Sequence, residues 1–147
     1  MAKRKKVVNQ KEQVSGSKKP KNRENPCAYY DWHPSWNFSM CDFEHEKWSL
    51  ENSDIYYKIF PKLILFERMK WSDIIVRDKE RNHWENCNEF IKEARDRIVE
   101  KKWDFDQLFS LRLEGDMRLY GNIENGIFYL IWYDEKHEIY PCKKKNT

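Results

Sequence analysis

The sequence lacks close cysteine pairs, long apolar runs and internal repeats, and each absence removes a class of protein. Cys27, Cys41, Cys87 and Cys142 stand far apart with no C-x-x-C spacing, whereas zinc sites usually draw their ligands in close pairs. Reduced structural thiols are favoured over a distributed site drawing on His33, His45, His83 or His137, so neither metal nor cofactor is expected. No apolar stretch approaches the roughly 18 residues of a membrane span, and no apolar signal segment follows the basic start. The expectation is a soluble, cytoplasmic protein with no membrane partner. No repeat is evident, which sets aside solenoids and propellers.

What is present is aromatic and charged. In 147 residues, 16% are aromatic and seven are Trp, enough to fill the core of one domain with large rings. The charge is sorted along the chain. From Met1 to Glu24 there are nine Lys or Arg against two Glu, and Lys143 to Lys145 add three more. Residues 25 to 142 are left at −7 of the formal net +3, so the fold is acidic and any phosphate site in it has to be a local cluster. Residues 1–25 read as a disordered basic leader and 26–147 as a single domain. Such a leader either adds sequence-independent affinity for phosphates or simply solubilises.

The pattern of the domain is α+β. Trp36 to Phe43 alternates aromatic and polar residues like a first strand. Ile55, Ile59, Leu63 and Phe66 recur at helical spacing behind a cap at Asn52 or Ser53, and Pro61 kinks or restarts that helix. A charged connection, VRDKERNHWEN, follows, and then a second helix from Asn86 or Asn88 to Lys102 with Phe90, Ile91, Ala94 and Ile98 on one face. The last third, from Leu108 to Pro141, reads as a three-stranded antiparallel meander, with the helices expected on one face of the sheet.

Register decides what that meander presents. Asn125-Gly126 is a two-residue hairpin signal, which sets Leu119 opposite Trp132, Gly121 opposite Leu130 and Ile123 opposite Phe128. A three-residue turn, Gly115 to Met117, then keeps Leu111 and Leu113 on the same side as Leu119 and sets Arg112 beside Tyr120 and close to Arg118. The other side is expected to be open and to carry Arg112, Arg118, Tyr120, Asn122, Tyr129, Ile131 and Tyr133. A solvated outer face of an ordinary sheet would look the same.

The run L-R-L-E-G-D-M-R-L-Y-G, an apolar strand, and then D-E-K-H-E-I-Y resemble the signature of the RelE/ParE toxin superfamily, as does the order of elements. The resemblance implies a RelE-like fold and a metal-independent endoribonuclease acting on RNA, many relatives cutting messenger RNA on the ribosome, with a small antitoxin protein as partner. The ParE branch implies the alternative, a non-catalytic member of the fold that binds a protein such as gyrase, or nucleic acid, through the same face.

Cleavage by a neighbouring 2′-hydroxyl needs a base for its proton, an acid for the departing 5′ oxygen, and cations for the charge growing on phosphorus oxygens. His137 titrates near neutrality and can serve as acid or base. Tyr140 can donate a proton or stack on a base. Arg112 and Arg118 can clamp a phosphate with planar forks, and His83 is a spare acid or base. Tyr120, Asn122 and Tyr129, with Arg77 and Arg81 of the charged connection, are the substrate-binding candidates. The body's acidity, and the Asp78, Glu80 and Glu85 that dilute the charged connection, depart from the strongly basic family pattern.

Overall fold

The computed structural model describes residues 28–141; the basic leader, Cys27, Cys142 and Lys143 to Lys145 lie outside the described residues. The fold is α+β. Five strands, β1 (Ser35–Asn37), β2 (His83–Asn86), β3 (Gln107–Glu114), β4 (Met117–Glu124) and β5 (Ile127–Asp134), form one mixed sheet in the order β1-β5-β4-β3-β2. β1 runs parallel to β5 and every other pair is antiparallel.

Local chemistry explains where the elements depart from expectation. The first strand stops after three residues because the Asn37 side chain takes the Ser39 backbone N–H at 2.8 Å and its hydroxyl at 2.6 Å, folding the chain into a turn. The first helix begins as a wide turn, Ile55–Ile59, in which the Phe60 N–H reaches back to the Ile55 carbonyl, and then narrows into α1 (Phe60–Glu67). Pro61 in the first turn of α1 has no N–H for the missing bond, so it marks a restart. The charged connection is not one loop: His83–Asn86 of it pairs with β3 as an edge strand, and charged side chains suit an edge. The second helix, α2 (Lys92–Glu100), is shorter than expected, because Cys87–Glu89 form a separate tight turn and Phe90 and Ile91 are extended.

The helices are not on one face of the sheet. Ile59 of the wide turn and Leu63 of α1 join Phe109, Leu111, Leu113, Leu119, Phe128, Leu130 and Tyr133 in one buried cluster with Trp71 and Ile74. Ala94 and Ile98 of α2 join Leu108, Tyr120, Ile131 and Trp132 in another, with Trp48 and Phe90. The sheet is therefore covered on both sides.

Two irregularities in register bring this about. Asn125 and Gly126, at φ 53° and 76°, make the expected two-residue turn, and Ile123 faces Phe128 and Gly121 faces Leu130. The pairing then slips at Ile131, so that Tyr120 faces Trp132, Leu119 faces Tyr133 and Arg118 faces Asp134. This bulge turns Trp132 onto the α2 side and Tyr133 onto the α1 side, the reverse of the sequence reading. The earlier turn holds two residues, Gly115 and Asp116, with a second bulge at Leu113, and it sets Arg112 opposite Arg118 rather than Tyr120.

α2 is held down by one buried ion pair. Asp42 takes Arg97 Nε at 2.8 Å and Nη2 at 2.7 Å, and it also takes Trp132 Nε1 at 3.0 Å. Burial works against the Asp42 charge, but the Arg97 fork and the indole N–H outweigh it and hold the carboxyl at about 2, against 3.8 ordinarily. Removing one partner of such a pair strands the other, so Asp42→Ala is expected to cost about 3–5 kcal/mol in denaturant unfolding at neutral pH. The carboxyl titrates lower folded than unfolded, so its contribution is whole above 3.8 and lost as the pH falls toward 2. The penalty of Asp42→Ala should therefore shrink across that window.

Candidate functional site

The α2 side of the sheet is roofed along its middle rows. The middle rows, with Leu108, Tyr120, Ile131 and Trp132, lie under Phe90, Ala94, Ile98 and Trp48. At the end of the strands Arg112, Arg118 and Asp134 sit in one cross-strand row.

Two guanidinium groups directly opposite each other repel, and an exposed sheet would pair them with carboxylates. Among the described residues neither has an ion pair. Arg112 Nε donates to the Gly115 carbonyl at 2.9 Å and Arg118 Nε to the Asp116 carbonyl at 3.1 Å, so the turn anchors both side chains by their inner nitrogens. Glu114, the simplest partner for Arg112, lies instead 3.9 Å from Lys62. Arg118 is only 7% exposed, while Arg112 is half-buried. The two cations thus lie in a largely buried recess at the sheet's end, beside the fully buried Asp134.

Asp134 brings a histidine to that recess. Its two carboxylate oxygens accept the backbone N–H groups of Glu138 at 3.0 Å and Ile139 at 2.9 Å, which folds the chain after β5 back on itself and carries His137 through a φ of 57°. Partial burial, and then the nearby Arg118 charge, push the His137 imidazole below its ordinary value against the pull of Asp134 and Asp116; Arg112 acts in the same direction as Arg118. Burial raises the Asp134 carboxyl, opposed by those two N–H groups.

A second histidine comes from β2, where His83 stands opposite Ser110. Its Nε2 is 2.6 Å from Glu85 and its Nδ1 is 3.2 Å from the Lys79 carbonyl. A carbonyl only accepts, so Nδ1 donates to Lys79 and Nε2 is left facing the Glu85 carboxyl. Burial raises the Glu85 carboxyl, with His83 and then Arg118 drawing it back down. The hydroxyls of Ser110 and Tyr120, opposite each other in register, are fully buried and have no hydrogen-bond partner beyond each other among the described residues. Burial, and then Asp134, push the Tyr120 phenol up and keep it neutral.

The expected site residues thus divide. Arg112, Arg118 and His137 come together, with His83 on the adjoining strand. Tyr120 is beneath them and buried, so it offers no ring to a substrate. Asn122 and Tyr129 face each other, but Asn122 lies four residues beyond Arg118 along β4, about 13 Å, on the far side of the roof. Tyr140 gives its hydroxyl to Glu89 at 3.0 Å and sets its ring edge against Phe90. Arg77 pairs with Asp73 at 2.9 Å in the segment whose Ile74 is buried on the α1 side, and Arg81 is exposed in the turn entering β2. Neither joins the recess.

Sequence reasoning missed Glu85 and Asp134. Glu85 was legible in principle, since positions two apart on a strand share a face and His83 is two residues before it. Asp134 was not, because only the bulge turns it to this side. Cys41 and Cys87 are free, and burial pushes both thiols up to about 12, which leaves them unsuited to act as nucleophiles. Among the described residues no three His, Cys, Asp or Glu side chains gather as a metal site.

Comparison with known proteins gives no match: no family model, no curated protein and no solved structure is significantly similar to the chain.

The electrostatics of the recess can be read directly. His137 should titrate below the ordinary imidazole value of 6.5 in an NMR pH series. Arg118→Gln removes a nearby cation and should raise that midpoint; an unchanged midpoint would place His137 away from the arginine.

Proposed function

We propose that the Arg112–Arg118 end of the α2 side takes an RNA phosphodiester and that the chain is a RelE-like, metal-independent endoribonuclease with messenger RNA as its target. The observation that carries this reading is the opposition of Arg112 and Arg118 with no carboxylate between them among the described residues. A phosphate relieves the repulsion between them, and two anchored forks offer it planar donors.

The two histidines differ in the way the reaction requires. His137, held neutral, takes the proton of the ribose 2′-hydroxyl as that oxygen attacks phosphorus. The P–O5′ bond breaks, and the protonated His83–Glu85 pair gives its proton to the departing 5′ oxygen. Arg112 and Arg118 offset the charge on the non-bridging oxygens in between. The products are a 2′,3′-cyclic phosphate and a free 5′-hydroxyl, and the atoms balance without a metal or an oxidant.

The burial of Arg118 favours the second reading, a non-catalytic RelE/ParE-fold module that holds an anionic or protein partner at the same recess. The two readings part on single substitutions. In the first, purified full-length chain with RNA and EDTA should yield 2′,3′-cyclic phosphate ends, and His137→Ala or Arg118→Ala should each slow cleavage by about 10²–10⁴-fold. Because the working form of His137 is neutral and its titration is depressed, the acid limb of the rate profile should lie below pH 6.5. Cleavage that needs a metal, or that survives His137→Ala, contradicts the mechanism; partner binding without any cleavage points to the second reading.

A further inference from the structure

α1 and the wide turn before it are apolar on both sides. Ile59 and Leu63 face the sheet, with Ile55 and Phe66 packed against the same cluster. The outer side carries Tyr57, Phe60, Ile64 and Leu65, exposed at 74, 39, 49 and 52%. A helix that is hydrophobic all round is normally buried, and contiguous exposed apolar surface marks a contact.

Charge says what kind of contact. Residues 55–81 carry seven Lys or Arg against four Asp or Glu, a net +3, whereas the other described residues carry nine against nineteen, a net −10. Two of those four acids are committed, Glu67 to the Trp36 indole at 2.7 Å and Asp73 to Arg77. The segment around Trp32 is tied to the chain leaving α1: Trp32 and Tyr30 carbonyls accept the Trp71 and Ser72 N–H groups, each at 2.9 Å. Lys58, Arg68 and Lys70 are exposed and flank these apolar residues in the chain, on an otherwise acidic body. Exposed aromatics bracket the aliphatic pair, Tyr56 and Tyr57 before it in the chain and Trp32 beside the segment that follows α1.

We propose that this side of the molecule docks on an anionic lipid surface. Ile64 and Leu65 enter the boundary of the acyl chains, the aromatic rings sit at headgroup depth, and Lys58, Arg68 and Lys70 meet the phosphates. RNA fits this face less well, because Ile64 and Leu65 offer neither a stacking plane nor a hydrogen-bond donor. Among the described residues no helix is long and apolar enough to cross a membrane, so the attachment is peripheral. The cations act over a Debye length and the apolar residues only on contact, so both are required.

The test is flotation of the full chain with vesicles of phosphatidylcholine alone or mixed with phosphatidylserine. Wild type should float with the mixed vesicles and not with the neutral ones, less so at high salt. The double variant I64E/L65E, and separately Y56S/Y57S, should lower partitioning about tenfold or more while keeping the wild-type unfolding midpoint. The proposal is overturned if wild type ignores anionic vesicles. It is also overturned if both variants float as wild type does, which would make the contact a matter of leader charge, or if they lose RNA retention with vesicle binding unaffected.

Discussion

The bulge at Ile131 is the constraint on which most of the molecule turns. One unpaired residue in β5 moves Trp132 to the α2 side, where its indole N–H reaches Asp42, and the same carboxylate anchors α2 through Arg97. It also moves Asp134 from the α1 side to a position opposite Arg118, where its oxygens fold the following chain and deliver His137. In straight register Tyr133 would face Arg118, and the loop would leave from the other side of the sheet. Helix docking and site assembly thus share one cause. Gly121, next to the slip, permits it sterically: a Cβ there would come 2.7 Å from the Phe128 ring.

Much of this was legible in the residues. Asn125-Gly126 named its own turn, the stripe of Ile59 and Leu63 named the buried side of α1, and the alternation in β3 and β4 kept Arg112 and Arg118 together on one side. The bulges were not legible, because Ile131 and Leu113 are good strand residues whose side chains look alike in straight or slipped register. Without the slip the α2 side reads as polar and open; with it, Trp132 joins Tyr120 and Ile131 in a second core. β2 escaped notice because an edge strand built from His83, Trp84, Glu85 and Asn86 carries the composition of a loop. Pro61 left kink and restart both open, and the widened turn before it resolved them as a restart.

The distribution of charge gives the two sides of the sheet different tasks. On the α2 side acids are used internally: Asp42 holds Arg97, Asp134 holds a loop, and Glu85 lies 2.6 Å from His83. Arg112 and Arg118 have no ion pair among the described residues and stand opposite each other at the end of β3 and β4. On the α1 side exposed cations flank exposed apolar residues in the chain, a combination suited to an extended anionic surface.

The opposition of Arg112 and Arg118 as an anion clamp is tested most directly by following their Nε–Hε resonances during titration with a short single-stranded RNA protected as its 2′-O-methyl ether. Both arginine signals should move together, at the same RNA concentration as the His137 ring. Stationary arginine signals, while lysine resonances of the leader shift, would mean that RNA is held by diffuse charge alone and that the recess is no phosphate site.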